Sequence, residues 1–341
     1  MTVRVFMISR DPDAVRPGSQ TAKRIAEYAA QGAEITVVLA SLPRFLPVLW
    51  QGLRTVRRGW VVTSQDPFEA GLVAWIVARF RGARLELQMH GDFLNPTWAA
   101  EAWHRPLRLF LARWLLRRAD GVRVPSQRVA RSLEKIFRLG HVKCPQIISV
   151  PPGRFTSIPT ANRNEQRIIY AGRFSREKNI PLLLNAFRIL QNEYPQLHLI
   201  LIGDGEKTPY LKEMRESFAH DRVWLGSWTG SGIVFEIPAI CALPSRHESW
   251  GRFVIEASLA GCPVVMTDVG CAGEVIIDGE SGWVVPPGDE AAFVAALRDA
   301  LGHPDEARRR GENARRAAAA LPNAEEIARR VVAAWMHLAR A

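Results

Sequence analysis

Cysteine is scarce and poorly placed for cross-linking. Cys144, Cys241, Cys262 and Cys271 are the only four in 341 residues. No two form a Cys-x-x-Cys pair, and the nearest, Cys262 and Cys271, have no histidine at ligand spacing. Neither a disulfide framework nor a zinc site follows from such a pattern, and a reduced cytoplasmic setting fits it. Long apolar runs are missing as well. The stretches Phe45 to Leu53 and Leu107 to Leu116 are interrupted by Arg, Gln or Pro, whereas a spanning helix needs about 18 uninterrupted apolar residues. The opening segment is strand-like and too short for the apolar core of a secretory signal. Short-period repeats and low-complexity tracts are also lacking.

What is present is ordinary for a folded chain: 48% hydrophobic and 23% charged residues, at a length that suits two compact domains. The charge is unevenly distributed. Residues 1–155 carry 24 basic against 11 acidic side chains and residues 156–341 carry 21 against 23, so the whole excess of +11 lies in the first part. A one-sided basic half points to an anionic ligand or surface there. The pI of about 10.1 raises nucleic-acid binding as an alternative class, but no recognition motif accompanies it and no nucleic-acid partner is expected.

Short β-branched runs at 2–8, 34–40, 59–63, 84–89, 121–125 and 147–150 alternate with helix-like stretches. The Pro-, Asn- and Thr-rich segment after Val150 has no apolar period and reads as a linker. The alternation then restarts with strands ending in Gly172, Gly203 and Gly226. This is an α/β pattern of two doubly wound, Rossmann-like domains facing each other across a cleft. The expected boundaries are 1–152, a linker over 153–166, a second domain over 167–322 and a terminal helix over 323–341 that packs back toward the first domain.

The most informative stretch is Pro244-Ser-Arg-His-Glu248-Ser-Trp-Gly251-Arg-Phe-Val-Ile-Glu256. A strand ends, a turn follows, and a helix starting near Gly251 offers the amides of Arg252, Phe253 and Val254 to an anion. Carboxylates beside a phosphate site suit paired sugar hydroxyls, which suggests a nucleotide-sugar. Helix capping by Glu248 and a solvated face for Glu256 form the other reading. The stretch Ala171-Gly172-Arg173-Phe-Ser-Arg-Glu-Lys178 places two cations after a strand, able to neutralise a diphosphate. Gly203-Asp-Gly205, Val223-Trp224-Leu225-Gly226 and the glycine-rich 269–288 segment complete the series.

This ordered series resembles the retaining glycosyltransferases of family 4 on the GT-B fold. The likeness runs through nearly all of 165–300 and, more loosely, through His90 in Met-His90-Gly-Asp and Arg118-Ala-Asp120-Gly-Val-Arg-Val-Pro-Ser126. The resemblance implies a donor nucleotide in the second domain, with Arg173 and Lys178 on its diphosphate, Glu256 on the ribose, Glu248 on the donor sugar and a loop around Val223 to Leu225 facing the base. It also implies that His90 lies on the acceptor side and that Gly18 approaches the phosphates. The first loop reads Pro17-Gly18-Ser19 where the family commonly has a glycine pair.

The implied reaction is front-side transfer in which the leaving diphosphate helps deprotonate the acceptor. It needs no protein nucleophile, no metal and no cofactor, the nucleotide-sugar being a substrate. A UDP-sugar is favoured over GDP-mannose, and the acceptor is a glycan or lipid-linked glycan of the cell envelope. Asp11-Pro-Asp13 reads as a turn. An epimerase or phosphorylase built on the same fold is the alternative chemistry.

Two basic stretches bear on the acceptor. Leu107, Phe110, Leu111, Trp114 and Leu115 recur at helical spacing with Arg105, Arg108 and Arg113 elsewhere, and Leu46, Leu49, Trp50, Leu53 and Val56 do so with Arg54, Arg57 and Arg58. Core-packed helices with solvated arginines and helices lying on an anionic bilayer are the two readings. The second would make the protein peripheral on the inner face of the cytoplasmic membrane.

Overall fold

In a computed structural model, the structure describes residues 2–40, 45–94, 96–100, 102–137, 146–147, 156–157, 166–203, 222–226, 233–234 and 239–341. The expected linker lies outside these apart from residues 156–157 and 166, and Gly205 lies outside them too. The chain divides into two units, Met1–Val150 with Pro322–Ala341, and Pro151–Leu321.

Unit 1 runs β1 (Val3–Ser9), α1 (Gln20–Ala30), β2 (Ala33–Leu39), α2 (Phe45–Thr55), β3 (Val61–Ser64), α3 (Glu69–Arg81), β4 (Arg84–Gln88), α4 (Pro96–Ala100), α5 (Arg105–Leu116), β5 (Gly121–Val124), α6 (Gln127–Phe137) and β6 (Gln146–Ile147). Unit 2 contributes β7 (Thr156–Ser157), β8 (Arg167–Ala171), α7 (Ile180–Glu193), β9 (His198–Ile202), β10 (Val223–Gly226), β11 (Ile233–Val234), β12 (Ile240–Leu243), α8 (Arg252–Leu259), β13 (Val264–Thr267), β14 (Trp283–Val285), α9 (Glu290–Gly302) and α10 (Pro304–Ala319). The last helix, α11 (Ala324–Arg340), belongs to unit 1.

Each unit holds a six-stranded parallel sheet, ordered β2-β1-β3-β4-β5-β6 in unit 1 and β10-β9-β8-β12-β13-β14 in unit 2. Parallel strands covered on both faces are nearly continuous apolar runs, and β1 illustrates it apart from the exposed Arg4 near its start. Its Val3, Val5 and Met7 pack with Tyr28 of α1 and with Ile327, Val331, Val332 and Trp335 of α11, while Phe6 and Ile8 face the core built with α2, α3 and α5. The helices begin on side-chain caps where the sequence supplies them: Ser19, Asp289 and Asn323 accept from the amides of Ala22, Ala292 and Glu326 at 2.8–3.0 Å.

Strand order reverses between β1 and β3 in unit 1 and between β8 and β12 in unit 2. In open α/β sheets a ligand crevice forms outside the carboxyl ends of the strands at such a reversal.

Candidate active site

The unit 2 reversal gathers most of the expected donor residues. Tyr170, fully buried at the end of β8, donates from its hydroxyl to the Arg173 carbonyl at 3.0 Å and so shapes the loop that follows. A Cβ on Gly172 would stand 2.7 Å from that hydroxyl, and one on Gly203 would collide with the Gly172 carbonyl, so both strand ends require glycine by close approach. Burial, then the charges of Glu248 and Glu177, pushes the Tyr170 phenol well above its ordinary 10.0.

Lys178 ends a 3-10 turn (Arg176–Lys178), and its Nζ meets Glu248 Oε1 at 2.5 Å, both side chains being largely covered. The Ser245 hydroxyl donates to the same oxygen at 3.0 Å. The two groups assigned separately to diphosphate and sugar are therefore partners of one another. Arg173 stays open, 73% exposed, with Glu177 at 3.5 Å. Against the opposing effect of burial, the Ser175 hydroxyl and then Arg173 and Lys178 hold the Glu177 carboxyl below its usual range. The Glu177 carbonyl also accepts from the Arg246 amide at 2.8 Å, tying the two loops of the site together.

Helix α8 begins at Gly251, whose φ of +87° suits glycine, and no side chain caps it. One expectation fails here: the Val254 amide donates to the Gly251 carbonyl at 2.9 Å, because the turn closes one residue earlier, so Val254 leaves the set of amides offered to an anion. Glu256 is buried on the inner side of α8, where Arg252 Nε reaches its Oε1 at 2.9 Å across one turn. The glycine-rich segment supports the turn from below: Gly270 has φ +57°, the Cys271 amide donates to the Trp250 carbonyl at 2.8 Å, and a Cβ on Gly270 would stand 2.5 Å from that carbonyl. Trp224 and Leu225 lie in the edge strand β10, in keeping with the strand pattern that ends at Gly226 and not in the loop that the family resemblance implies, because their amides and carbonyls pair with β9.

In unit 1, Gly18 sits at φ +78° just before the Ser19 cap of α1. His90 follows β4 and lines a cavity of about 210 Å³ with Arg10, Gln65, Asp66, Phe68, Phe93, Trp98 and Arg108. Phe68 and Trp98 stack with centroids 5.6 Å apart, and the Arg108 guanidinium lies 4.2 Å above the Phe68 ring. Arg108 also binds Glu69 at 2.9 Å. Burial pushes the Asp66 carboxyl up, against the pull of the Phe68 amide and Arg10. His90 is itself an exposed residue where it lines this cavity. Loss of water, joined by Arg24 and Arg123 and opposed by Asp11, lowers it to about 4. Asp120 and Ser126 prove architectural: Asp120 binds the Leu85 amide and Arg84, and Ser126 accepts from the Val129 amide. Asp11 shapes its turn, accepting from the Asp13 amide and the Thr21 hydroxyl.

The basic helices differ from a simple core stripe. On α5, Ala112, Leu115 and Leu116 are buried while Leu107 and Phe110 are about 70% exposed, the helix packing on α3 and α4 with that face left uncovered. On α2, Val48 and Gly52 are buried, and Leu46 and Trp50 are exposed. Arg54 lies 4.4 Å over the Trp50 ring, Arg57 bonds the Arg54 carbonyl, and Arg58 and Arg113 are exposed. Arg105 is drawn back onto Trp98, 4.8 Å from its ring.

Comparison with known proteins fits this geometry. Glycosyl transferases group 1 match over residues 155–317 and the glycosyl transferase 4-like domain over residues 3–153. The chain belongs to the group 1 glycosyltransferases of family 4 type. Glycogen synthase of Mycobacterium tuberculosis is 27% identical over 59% of this chain, and the chain spans about half (50%) of that relative's length. Alpha-D-kanosaminyltransferase of Streptomyces kanamyceticus is 24% identical over 72% of this chain and 68% of its own. Two solved structures show the same fold, GT-B: sucrose-phosphate synthase from Thermosynechococcus elongatus (TM-score 0.75, 21% identity, 98% of this chain and 99% of that one) and Anabaena HepE in complex with UDP-glucose (TM-score 0.73, 20%, 97% and 98%).

Sequence reasoning missed several residues of these two sites. Ser245 and Glu177 in unit 2, and Arg10, Asp66, Phe68 and Trp98 in unit 1, carry no motif of their own. Asp66 and Phe68 follow the end of β3, so applying the strand-end rule to the first half as well as the second would have found them. Among the described residues no helix is long and apolar enough to cross a membrane.

Proposed function

We propose that this glycosyltransferase retains anomeric configuration and uses a nucleoside-diphosphate sugar, with a UDP-sugar favoured and GDP-mannose the runner-up. The observation that carries the reading is the Lys178–Glu248 pair, flanked by the open Arg173 and the uncapped start of α8, at the strand-order reversal of unit 2. A diphosphate would draw Lys178 and Arg173, with the outer α8 amides adding partial positive charge. Glu248, released from Lys178, would be left to accept hydroxyls of the donor sugar, and Glu256 those of the ribose.

In the transfer, the bond from the anomeric carbon to the diphosphate oxygen breaks and a bond to the acceptor oxygen forms on the same face. The acceptor proton passes to the departing diphosphate. The protein's part is charge stabilisation and positioning, with no protein nucleophile and no metal step. The cavity around His90 suits the acceptor side, since Phe68 and Trp98 offer an apolar wall and Asp66, Gln65 and Arg10 a polar rim.

The test is thermal unfolding with UDP, GDP, ADP and dTDP. At ~100 times its dissociation constant a bound nucleotide adds ~2.7 kcal/mol. One selective shift that disappears in Glu256→Ala supports the reading, and no shift with any nucleotide overturns it.

We infer further that the acceptor is a lipid-linked or envelope glycan met at an anionic membrane. Leu46 and Trp50 stand exposed on α2 with Arg54, Arg57 and Arg58 on it or just after it, and Leu107 and Phe110 stand exposed on α5 with Arg113, Trp103 just before it, each a pairing of apolar and basic groups that suits the bilayer interface. Pelleting with phosphatidylglycerol vesicles that is lost in Arg54→Glu/Arg57→Glu/Arg58→Glu supports this, and absence of pelleting by the parent overturns it.

A further inference from the structure

A buried polar chain crosses unit 1 behind His90. Glu86 on β4 receives three donors on Oε2: Thr63 Oγ1 of β3 at 2.7 Å, Arg123 Nη2 of β5 at 2.7 Å and Trp335 Nε1 of α11 at 2.9 Å. Gln88 Nε2 stands 2.8 Å from Thr63 Oγ1, and Gln88 Oε1 stands 3.0 Å from His90 Nε2. Glu86, Thr63, Gln88, Arg123 and Trp335 are all under 5% exposed.

The direction of every bond in this chain follows from its inner end. Guanidinium and indole N–H groups can only donate, so Glu86 Oε2 acts as an acceptor. Thr63 has a single hydroxyl hydrogen and commits it to that carboxylate, so it must accept from the Gln88 amide nitrogen. This turns the Gln88 carbonyl toward His90. A carbonyl cannot donate, and the facing ring nitrogen must therefore carry hydrogen. The ring is neutral near pH 7, where an imidazole has one donor and one acceptor nitrogen.

We propose that Glu86, Thr63 and Gln88 are positioning residues that hold His90 as its Nε2–H tautomer, with Trp335 of the terminal helix fastening the charged end of the chain. The basic nitrogen of the ring is then Nδ1, the one able to accept a hydrogen bond from a sugar hydroxyl. That use rests on the assignment of His90 to the acceptor side under the proposed function. The tautomer itself does not.

A buried Glu–Arg pair is a weak source of stability by itself, because desolvation offsets the attraction. Here it also supplies the anion that polarises the chain. The sequence separation of 249 residues between Glu86 and Trp335 means that the device is complete only after α11 has docked on unit 1.

The experiment is long-range 1H–15N NMR of histidine-labelled full-length protein at pH 7.5, with the His90 signals assigned by their loss in His90→Asn. The parent should show a protonated Nε2 and an unprotonated Nδ1. Hydrogen on Nδ1 in the parent overturns the proposal without any variant. Thr63→Val keeps the side-chain shape but removes the hydroxyl that orients Gln88, and it should mix or reverse the tautomers, while Thr63→Ser restores the parent pattern. A parent-like tautomer in folded Thr63→Val overturns the proposal. Sugar transfer is read alongside: a fall of about tenfold in kcat with KM for the donor unchanged accompanies the switched tautomer if Nδ1 serves the reaction. A switched tautomer with undiminished kcat supports the chain and overturns instead the placement of His90 on the acceptor side.

Discussion

Lys178 and Glu248 make a sharp test because one pair serves two purposes with opposite signs. Their charged atoms lie 2.5 Å apart, with side chains 15% and 11% exposed. Removing one partner of a fully buried pair costs about 3–5 kcal/mol, and partial access to solvent reduces this here to about 2–3 kcal/mol. For a unit of this size each kcal/mol moves the midpoint by about 2–4 °C, so Lys178→Met and Glu248→Gln should each unfold about 5–10 °C below the parent without ligand.

Nucleotide affinity should separate the two variants. A lysine–phosphate hydrogen bond is worth about 1.5–3 kcal/mol, so Lys178→Met should bind UDP about 10- to 100-fold more weakly. Glu248→Gln removes the anion that competes with phosphate for Lys178, so it should bind UDP several-fold more tightly while losing most of its turnover. Calorimetric titration with UDP beside thermal unfolding checks both quantities. If the two variants shift UDP affinity in the same direction, or if Lys178→Met binds like the parent, the pairing has no part in diphosphate binding.

Three further outcomes follow from the same geometry. His90, lowered from 6.5 to about 4, should stay neutral to about pH 5 in an NMR titration. Its folded value lies below the unfolded one, so its contribution to stability is full above pH 6.5 and is lost as pH falls toward 4; a midpoint near 6.5 in the folded protein would contradict the burial argument. Gly270→Ala forces a side chain to φ +57° and against the Trp250 carbonyl, so it should destabilise unit 2 by about 1–3 kcal/mol in thermal unfolding and weaken UDP binding with it. Cys241 and Cys262 are buried, and loss of water raises the first well above 9.0 and the second to about 12. Iodoacetamide at pH 8 followed by peptide mapping should leave both unmodified in native protein and label both after unfolding.

Local order determined a great deal. Period-two and period-3.6 apolar patterns are written in consecutive residues, so the strand positions and α8 starting beside Gly251 follow from them. Arg173, Lys178, Glu248 and Glu256 pointed to the family only together with the glycine motifs at 203–205, 223–226 and 269–288, and they could be read as one site because strand-end loops come to the same edge of a parallel sheet.

Pairing across the chain is another matter, and only the tertiary structure decided it. Lys178 meets Glu248 across 70 residues because β12 adds beside β8, an order that periodicity does not encode. The α5 stripe reads as continuous in sequence, yet Leu107 and Phe110 face outward because the neighbours of α5, α3 and α4, leave that face uncovered. His90 carries a short motif, but its neutral state and tautomer depend on Glu86, Thr63, Arg123 and Trp335, brought together from three strands and the last helix. Hydrogen-bond direction and desolvation depend on atoms close in space, and distance along the chain says nothing of that.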